Sequence, residues 1–251
     1  NDGMYAWLAA FIIFTWSSLA AAEISIPTNL SANDRQEALR ILGLGTSSKM
    51  LSNPYPLGGY SGFEFGLTIE SVPVEEISRL GAKLQPGEQP EKTFNYPKFA
   101  IGKGLYKDID VFLHFIPYNQ NTNMSDYGGM LRYCFYQAAF LPASFSILVH
   151  ANNSNVGNLI FTQSAGAELV TGINVSDFAL YVGAGRVFVT GKFVASLNAA
   201  GSNPTPADET DTVSSFHSFI GGSFDFEPVF VAFQIDQYTQ TVMGAKLGLR
   251  F

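Results

Sequence analysis

Most of the chain alternates between apolar residues and residues that are polar or small. At the carboxyl end, the odd-numbered residues from Met243 to Phe251 are apolar, whereas Lys246 and Arg250 lie on the other parity. A period of two predicts a β-strand with one apolar face, because successive side chains point to opposite sides of a strand. The same alternation extends back to about residue 62, so strands dominate the chain from that point onward.

The alternating segments are separated by Gly, Pro and Asn, and they predict about ten strands, with eight or twelve as alternatives. The intervals between them are expected to alternate in length, with long loops at 71–93, 118–124, 152–157 and 195–211 and short turns at 106–108, 138–143, 171–177 and 227–228. An even strand count lets the first strand pair with the last, which leaves no open sheet edge. The pattern therefore predicts an all-β fold, a closed antiparallel β-barrel. A secreted soluble β-sandwich that binds a partner is the alternative, since it would show the same alternation.

The amino terminus has a different character. No charged residue occurs from Tyr5 to Ala22, the apolar core spans 8–14, and Ala20–Ala22 supplies the small residues of a cleavage site. These features predict a secretory signal peptide at residues 1–22, with the mature chain beginning at Glu23. A membrane anchor that is not removed is the alternative.

Residues 23–60 lack the alternation of the later chain. A short helix is expected from Asp34 to Leu42, with Asn33 as its cap, Gln36 as the partner of that cap, and Gly43 as its end. The stretch that follows is rich in Gly and Pro, which interrupt strand pairing. We expect residues 23–60 to form a plug inside the barrel or a periplasmic lead-in, and residues 61–251 to form the barrel; a flexible tail is the alternative for the first of these segments.

Composition narrows the class of protein. Charged residues make up 14% of the chain, well below the roughly 25% of soluble domains. Beyond the amino terminus, no apolar run is long enough for a transmembrane helix. The net charge of −7 argues against nucleic acid as a partner, since phosphates need a basic face. The single cysteine, Cys134, excludes an internal disulfide.

A strand that ends the chain on an aromatic residue resembles the last strand of bacterial outer-membrane β-barrel proteins. The resemblance implies a transmembrane barrel in the bacterial outer membrane, with lipid and the barrel-assembly machinery as partners. It also implies that Leu247, Leu249 and Phe251 form the assembly signal. The expected role is a narrow channel for small solutes or a structural surface protein whose loops meet outside partners.

Charged and histidine residues of the strands fall mostly on the face opposite the aromatic residues. Charges in a membrane are tolerated when they face a wet or paired interior. We therefore expect them to line the lumen, either as a network of ion pairs or as the selectivity lining of a pore. The expected lumen-lining residues are Glu64, Glu70, Asp110, His114, Arg132, Glu168, Arg186, His217, Asp236, Lys246 and Arg250.

Motifs for catalysis or cofactor binding are weak. The three histidines lie on three different strands without a metal-ligand spacing, and the chain has no Gly-x-Ser-x-Gly elbow and no dinucleotide-binding glycine loop. We expect no catalytic, metal or cofactor site. The alternative is a hydrolase active at the barrel rim, in which His150 works with Asp126, Asp211 or Asp236; this arrangement resembles the ten-stranded outer-membrane proteases.

Overall fold

A computed structural model describes residues 26–81, 92–119, 123–138, 142–198 and 207–251. The predicted signal peptide lies outside the described residues. Within them, ten antiparallel strands form a single closed sheet in which every strand pairs with its neighbours in sequence, and the first pairs with the last. The strands are β1 (Phe63–Pro73), β2 (Thr93–Gly104), β3 (Ile109–Asn119), β4 (Met124–Gln137), β5 (Ala143–Val156), β6 (Ile160–Val175), β7 (Phe178–Phe193), β8 (Glu209–Phe226), β9 (Val229–Gln237) and β10 (Thr241–Arg250).

The closure between β1 and β10 covers eight consecutive residue pairs. Glu64 lies opposite Arg250, and Ser71 lies opposite Met243. Beyond the last strand, Phe251 exchanges two backbone hydrogen bonds with Phe63, at 3.0 and 2.9 Å. Every strand therefore has two partners, which satisfies the backbone groups that lipid cannot hydrogen-bond. The predicted fold, a closed antiparallel barrel of about ten strands, is confirmed.

The two faces of the sheet differ as the alternation predicts. Outward aromatic and aliphatic side chains are exposed, as Phe233 is at 52%, while its inward neighbour Gln234 is exposed at only 2%. No second protein layer covers the outward face anywhere in the described chain. The β-sandwich alternative is therefore wrong, because a sandwich buries its apolar face against another sheet.

The two ends of the barrel carry different connections. We call one end the loop end; there β1, β3, β5, β7 and β9 end and the strands that follow them begin. At the other, the turn end, β2, β4, β6 and β8 end, and the carboxyl terminus lies there as well. A long loop was expected at 152–157, and this expectation is wrong. Strand β5 continues to Val156 because Asn152 and Ser154 point inward and donate hydrogen bonds to Asp126, at 2.9 and 2.5 Å.

A short helix, α1 (Ala32–Ala38), precedes the barrel and continues as one π-helical turn at Leu39–Gly43. Its cap is Ser31 rather than the predicted Asn33. The Ser31 side chain accepts a hydrogen bond from the Asp34 amide, and the Asp34 carboxylate accepts one from the Ser31 amide at 2.9 Å. This reciprocal pair is a capping box in which Asp takes the place usually held by Glu or Gln. No helix among the described residues is long and apolar enough to cross a membrane.

The segment from α1 to the first strand runs through the inside of the barrel, and we call residues 26–58 the plug. At the loop end, the Leu30 amide donates a hydrogen bond to the Leu197 carbonyl at 2.8 Å. At the turn end, the 3-10 turn Gly59–Ser61 leads into β1. The predicted helix and plug segment is thus part of the fold, and it passes from one end of the barrel to the other.

The plug packs closely against the wall. Leu39 is fully buried, and a Cβ atom added at Gly191 of β7 would lie 2.1 Å from its Cδ2 atom. The absence of a side chain at Gly191 therefore makes room for the helix. The apolar part of α1 and its π-turn joins side chains from the loop-end half of the wall in one hydrophobic core.

Candidate functional site: the plugged lumen

The interior of the barrel is lined by ionic side chains that form four clusters, three of which bind the plug directly. Ten of the eleven residues expected to line the lumen lie on the inward face. Burying a charge is costly unless it is paired and hydrogen-bonded. The hydrogen-bond and ion-pair partners of each cluster therefore show which parts of the wall and the plug fill the lumen.

At the turn end, Glu64 is the centre of the first cluster. Its carboxylate accepts hydrogen bonds from Lys246 at 2.5 Å and from Arg250 at 2.6 Å. Arg250 also forms an ion pair with Asp225 at 2.5 Å. The plug completes this cluster, because the Ser52 hydroxyl donates to Glu64 at 2.8 Å.

The second cluster is the ion pair between Arg132 and Asp110, both fully buried, at 2.7 Å. Arg132 also donates to two backbone carbonyls of the plug, those of Asn53 and Tyr55. Asp110 accepts a hydrogen bond from the Leu57 amide at 3.1 Å. A buried arginine carries five donor hydrogens; Asp110 accepts two of them, and backbone carbonyls of the plug accept two of the remaining three.

The third cluster lies closer to the loop end. Glu70 pairs with Lys49 of the plug at 2.7 Å and with Lys98 of β2 at 3.5 Å. Lys98 also pairs with Asp126 at 3.2 Å and donates to the Thr46 carbonyl of the plug at 3.0 Å. Two cations and two carboxylates therefore share this cluster.

The fourth cluster joins strands β5, β6, β8 and β9 through two histidines and two carboxylates. His150 Nε2 and His217 Nδ1 lie 2.9 and 3.0 Å from the same oxygen, Oε1 of Glu168. His217 Nε2 lies 2.9 Å from Asp236 Oδ1. All four side chains are buried.

A small cavity lies between the plug and the wall. A cavity of about 20 Å³ lies beside Lys49, Met50 and Leu51 of the plug and reaches Glu70 and Lys98 of the wall. A water molecule needs roughly 10–15 Å³ on this measure, so the cavity holds about one. Around this cavity, plug residues Lys49, Met50 and Leu51 occupy the interior of the barrel.

Arg186 is the expected lumen residue that the structure places elsewhere. It is exposed on the outward face of β7, opposite Phe216 of β8, and its guanidinium lies 5.9 Å from the centre of the Phe188 ring. The expectation that it lines the lumen is wrong, because Val187 and Val189 take the inward positions of this strand.

Several interior residues were absent from the expected set. Lys98 and Asp126 share the parity of predicted interior residues on their strands, and counting in steps of two would have included them. Lys49, Ser52 and Asn53 belong to the plug, where no period exists to indicate their direction.

The arrangement expected of a rim-active hydrolase is wrong. His150, Asp126 and Asp236 are buried inside the barrel, and His150 contacts Glu168 instead of the expected carboxylates. Asp211 is bound by Arg35 of α1 at 2.6 Å. The described residues contain no group of three or more His, Cys, Asp or Glu side chains placed to hold a metal ion.

The assembly-signal residues lie where lipid contact is expected. Leu249 and Phe251 are exposed on the outward face, and Leu247 shares their parity. Their recognition by the assembly machinery stays a prediction.

Comparisons with known proteins gave distant structural likenesses. No family model matches the chain, and no curated protein matches it. The barrel domain of Pseudomonas aeruginosa OprF is 13% identical, with 77% of this chain and 99% of that chain covered and a TM-score of 0.35. The attachment invasion locus protein Ail of Yersinia pestis, in complex with sucrose octasulfate, is 14% identical over 76% and 97% of the two chains, with a TM-score of 0.31. Neisserial surface protein A is 10% identical over 75% and 94%, with a TM-score of 0.27.

Likenesses at this distance carry no argument about function, so the class of the protein rests on its own geometry. Lipid-spanning barrels combine full strand closure, an outward apolar face and a polar interior. The described strands show all three features. The described chain is a closed β-barrel whose two faces are arranged as in lipid-spanning barrels.

Proposed function

We propose that the protein is an outer-membrane barrel closed by its own plug, with a structural or surface role and no open passage for solutes. The observation that carries this proposal is the set of hydrogen bonds by which the lumen binds the plug. Wall side chains from the first three clusters bind plug groups from Thr46 to Leu57. A lumen that is bonded to the plug along its length has no continuous path for water or ions.

The outward face supports the membrane part of the proposal. Aromatic and aliphatic side chains cover it around the barrel, including Phe65, Phe145, Phe224 and Phe233. Such a surface is far larger than the apolar patches of soluble monomers. Outer-membrane lipid is therefore the proposed partner of this face, and the assembly machinery is the proposed partner of the last strand.

The orientation follows from the resemblance of the carboxyl-terminal strand to its outer-membrane counterparts. We take the turn end, with the carboxyl terminus, to face the periplasm and the loop end to face outward. Partners outside the cell would then meet the loop end, where α1 is held by the ion pair between Arg35 and Asp211.

Planar-bilayer conductance tests the closed state directly. Folding is first verified by the mobility of heated and unheated samples on gels. The folded wild-type protein is expected to show no steady conductance. Deletion of residues 26–58 is expected to give steady conductance, because the lumen then loses its filling.

The exposed residue Tyr60 offers a control outside the plug, since it lies at the turn end with 72% of its surface exposed. Tyr60→Ser is expected to leave the barrel closed. Steady conductance of the folded wild-type protein would contradict the proposal and favour the narrow channel. This outcome remains decisive even where the deletion variant does not fold.

A further inference from the structure

His217 is held between two carboxylates inside the barrel. Its Nδ1 atom lies 3.0 Å from Glu168, and its Nε2 atom lies 2.9 Å from Asp236. A neutral imidazole has one N–H and one bare nitrogen. With both carboxylates ionised, a neutral ring would therefore bring one lone pair against a carboxylate oxygen, whereas an imidazolium donates to both.

In the described chain, the carboxylates of Glu168 and Asp236 lack a lysine or arginine partner. Among the described residues, neither Glu168 nor Asp236 forms an ion pair with a lysine or an arginine, because the interior cations pair with the carboxylates of the other three clusters. The remaining oxygen of Asp236, Oδ2, is buried without a hydrogen-bond partner. A proton on that oxygen would have no acceptor, which favours the proton on the ring of His217.

His150 differs from His217 in this respect. Its Nε2 atom faces Glu168, but its Nδ1 atom is buried without a partner. A charged His150 would leave one N–H unpaired, so the neutral ring with its hydrogen on Nε2 fits the site.

The cluster is connected to the plug at two places. The ring of Tyr238 stacks on His217, with 4.1 Å between ring centres and 6° between ring planes, and its hydroxyl lies 2.7 Å from the Ser47 hydroxyl. On the other side, Gln234 donates to Asp236 at 2.7 Å and accepts from the Leu51 amide at 3.1 Å. One path leads from His217 through Tyr238 to Ser47, and the other leads through Asp236 and Gln234 to Leu51.

We propose that His217 is kept as an imidazolium inside the barrel and that its proton locks the plug at Ser47 and Leu51. The groups that face the cluster are two carboxylates, one neutral histidine and two tyrosine hydroxyls. The wall elements packed around His217 supply Glu168 from β6, Asp236 from β9, His150 from β5, Tyr181 from β7 and Tyr238 after β9. The plug supplies only the uncharged residues Ser47 and Leu51.

Loss of the His217 proton would weaken both connections to the plug, the one through Tyr238 and the one through Gln234. The bare nitrogen would repel the carboxylate it faces, and that carboxylate would then lack its only cation. Asp236 and the stacked ring of His217 hold Gln234 and Tyr238 in place, so a shift of either side chain weakens the bonds to the plug. The lock therefore holds while His217 is protonated and loosens as rising pH removes the proton.

The protonation state is measurable by NMR on wild-type protein with ¹⁵N-labelled histidine in lipid nanodiscs. At about pH 8 a free imidazole, with a pKa of about 6.5, is neutral. The His217 ring is expected to show two protonated nitrogens at this pH. A neutral His217 ring at about pH 8 would overturn the proposal, and this measurement needs no variant.

Hydrogen exchange of the Leu51 amide tests the link to the plug. His217→Gln keeps a polar side chain but cannot carry a charge, and it is expected to lower the protection of Leu51 at about pH 8 by about tenfold or more. Tyr60→Ser is the control, since Tyr60 is exposed at the turn end and lies outside the plug; its Leu51 protection is expected to match wild type.

The pH profile separates a lock from a merely structural histidine. Protection of Leu51 in the wild type, corrected for the intrinsic exchange rate, is expected to fall as alkaline pH deprotonates His217. In His217→Gln it is expected to be low and flat over the same range. Equal protection in the two proteins, or the same pH profile in both, would overturn the proposal.

Discussion

At the residue scale, the sequence predicted which side chains face the interior wherever the alternation along a strand assigned each residue to one of its two faces. Glu64, Asp110 and Arg132 lie inward as the alternation requires. Arg186 shows the limit of the rule that charged residues face the lumen. The β7 strand places Arg186 on its outward face, between Ala184 and Phe188, with Thr190 beyond. An arginine close to the polar boundary can extend its guanidinium to the headgroups, so its charge does not decide its face.

Replacement of Arg186 by leucine tests this position. A lipid-facing arginine costs about 2–4 kcal/mol at the bilayer midplane and about 0–1 kcal/mol near the interface. Since Arg186 lies near the change from apolar to polar outward residues, Arg186→Leu is expected to raise the free energy of unfolding by up to about 1 kcal/mol. Urea unfolding in lipid vesicles measures the change. A lumen-facing arginine would instead cause a loss of several kcal/mol, because its buried partners would be left unpaired.

At the element scale, strands and plug differ in how far the sequence reveals them. The strands have a period, and their existence and the closure of the barrel followed from it. The ends of β5 and β6 did not follow from the period. In the sequence, polar inward residues such as Asn152 have the composition of a loop, and only the structure shows that Asn152 donates a hydrogen bond to Asp126. The plug has no period beyond α1, so its path depends on long-range contacts such as those of Lys49 with Glu70.

The contact between α1 and the wall gives a prediction at this scale. Gly191→Ala would place a methyl group 2.1 Å from Leu39, and overpacking of this kind costs about 1–3 kcal/mol. We expect Gly191→Ala to lower the free energy of unfolding by this amount, with partial recovery in the double variant Gly191→Ala, Leu39→Ala. Gly129→Ala, where the nearest atom would be 3.2 Å away, is the control. Equal effects at both glycines would show that the plug does not press on β7.

At the scale of the whole molecule, a barrel and its plug form one structure. Closure removes the sheet edges, and the plug supplies partners for the ionic interior. Lipid is the proposed partner of the outward apolar face. The plug enters at the loop end, since Leu30 is bonded there. The proposed orientation therefore places residue 26 at the outer surface, a consequence that the sequence alone did not indicate.

Quenching of a single tryptophan by brominated lipid tests the central claim, that the aromatic parity faces lipid and the other parity faces a filled interior. Both tryptophans of the chain lie within residues 1–22, so protein expressed from Glu23 contains none. Phe233 is exposed on the outward face of β9, and Phe230 on the same strand is fully buried. We predict strong quenching of Phe233→Trp and little quenching of Phe230→Trp in bilayers. Equal quenching of the two, or none at residue 233, would contradict the account.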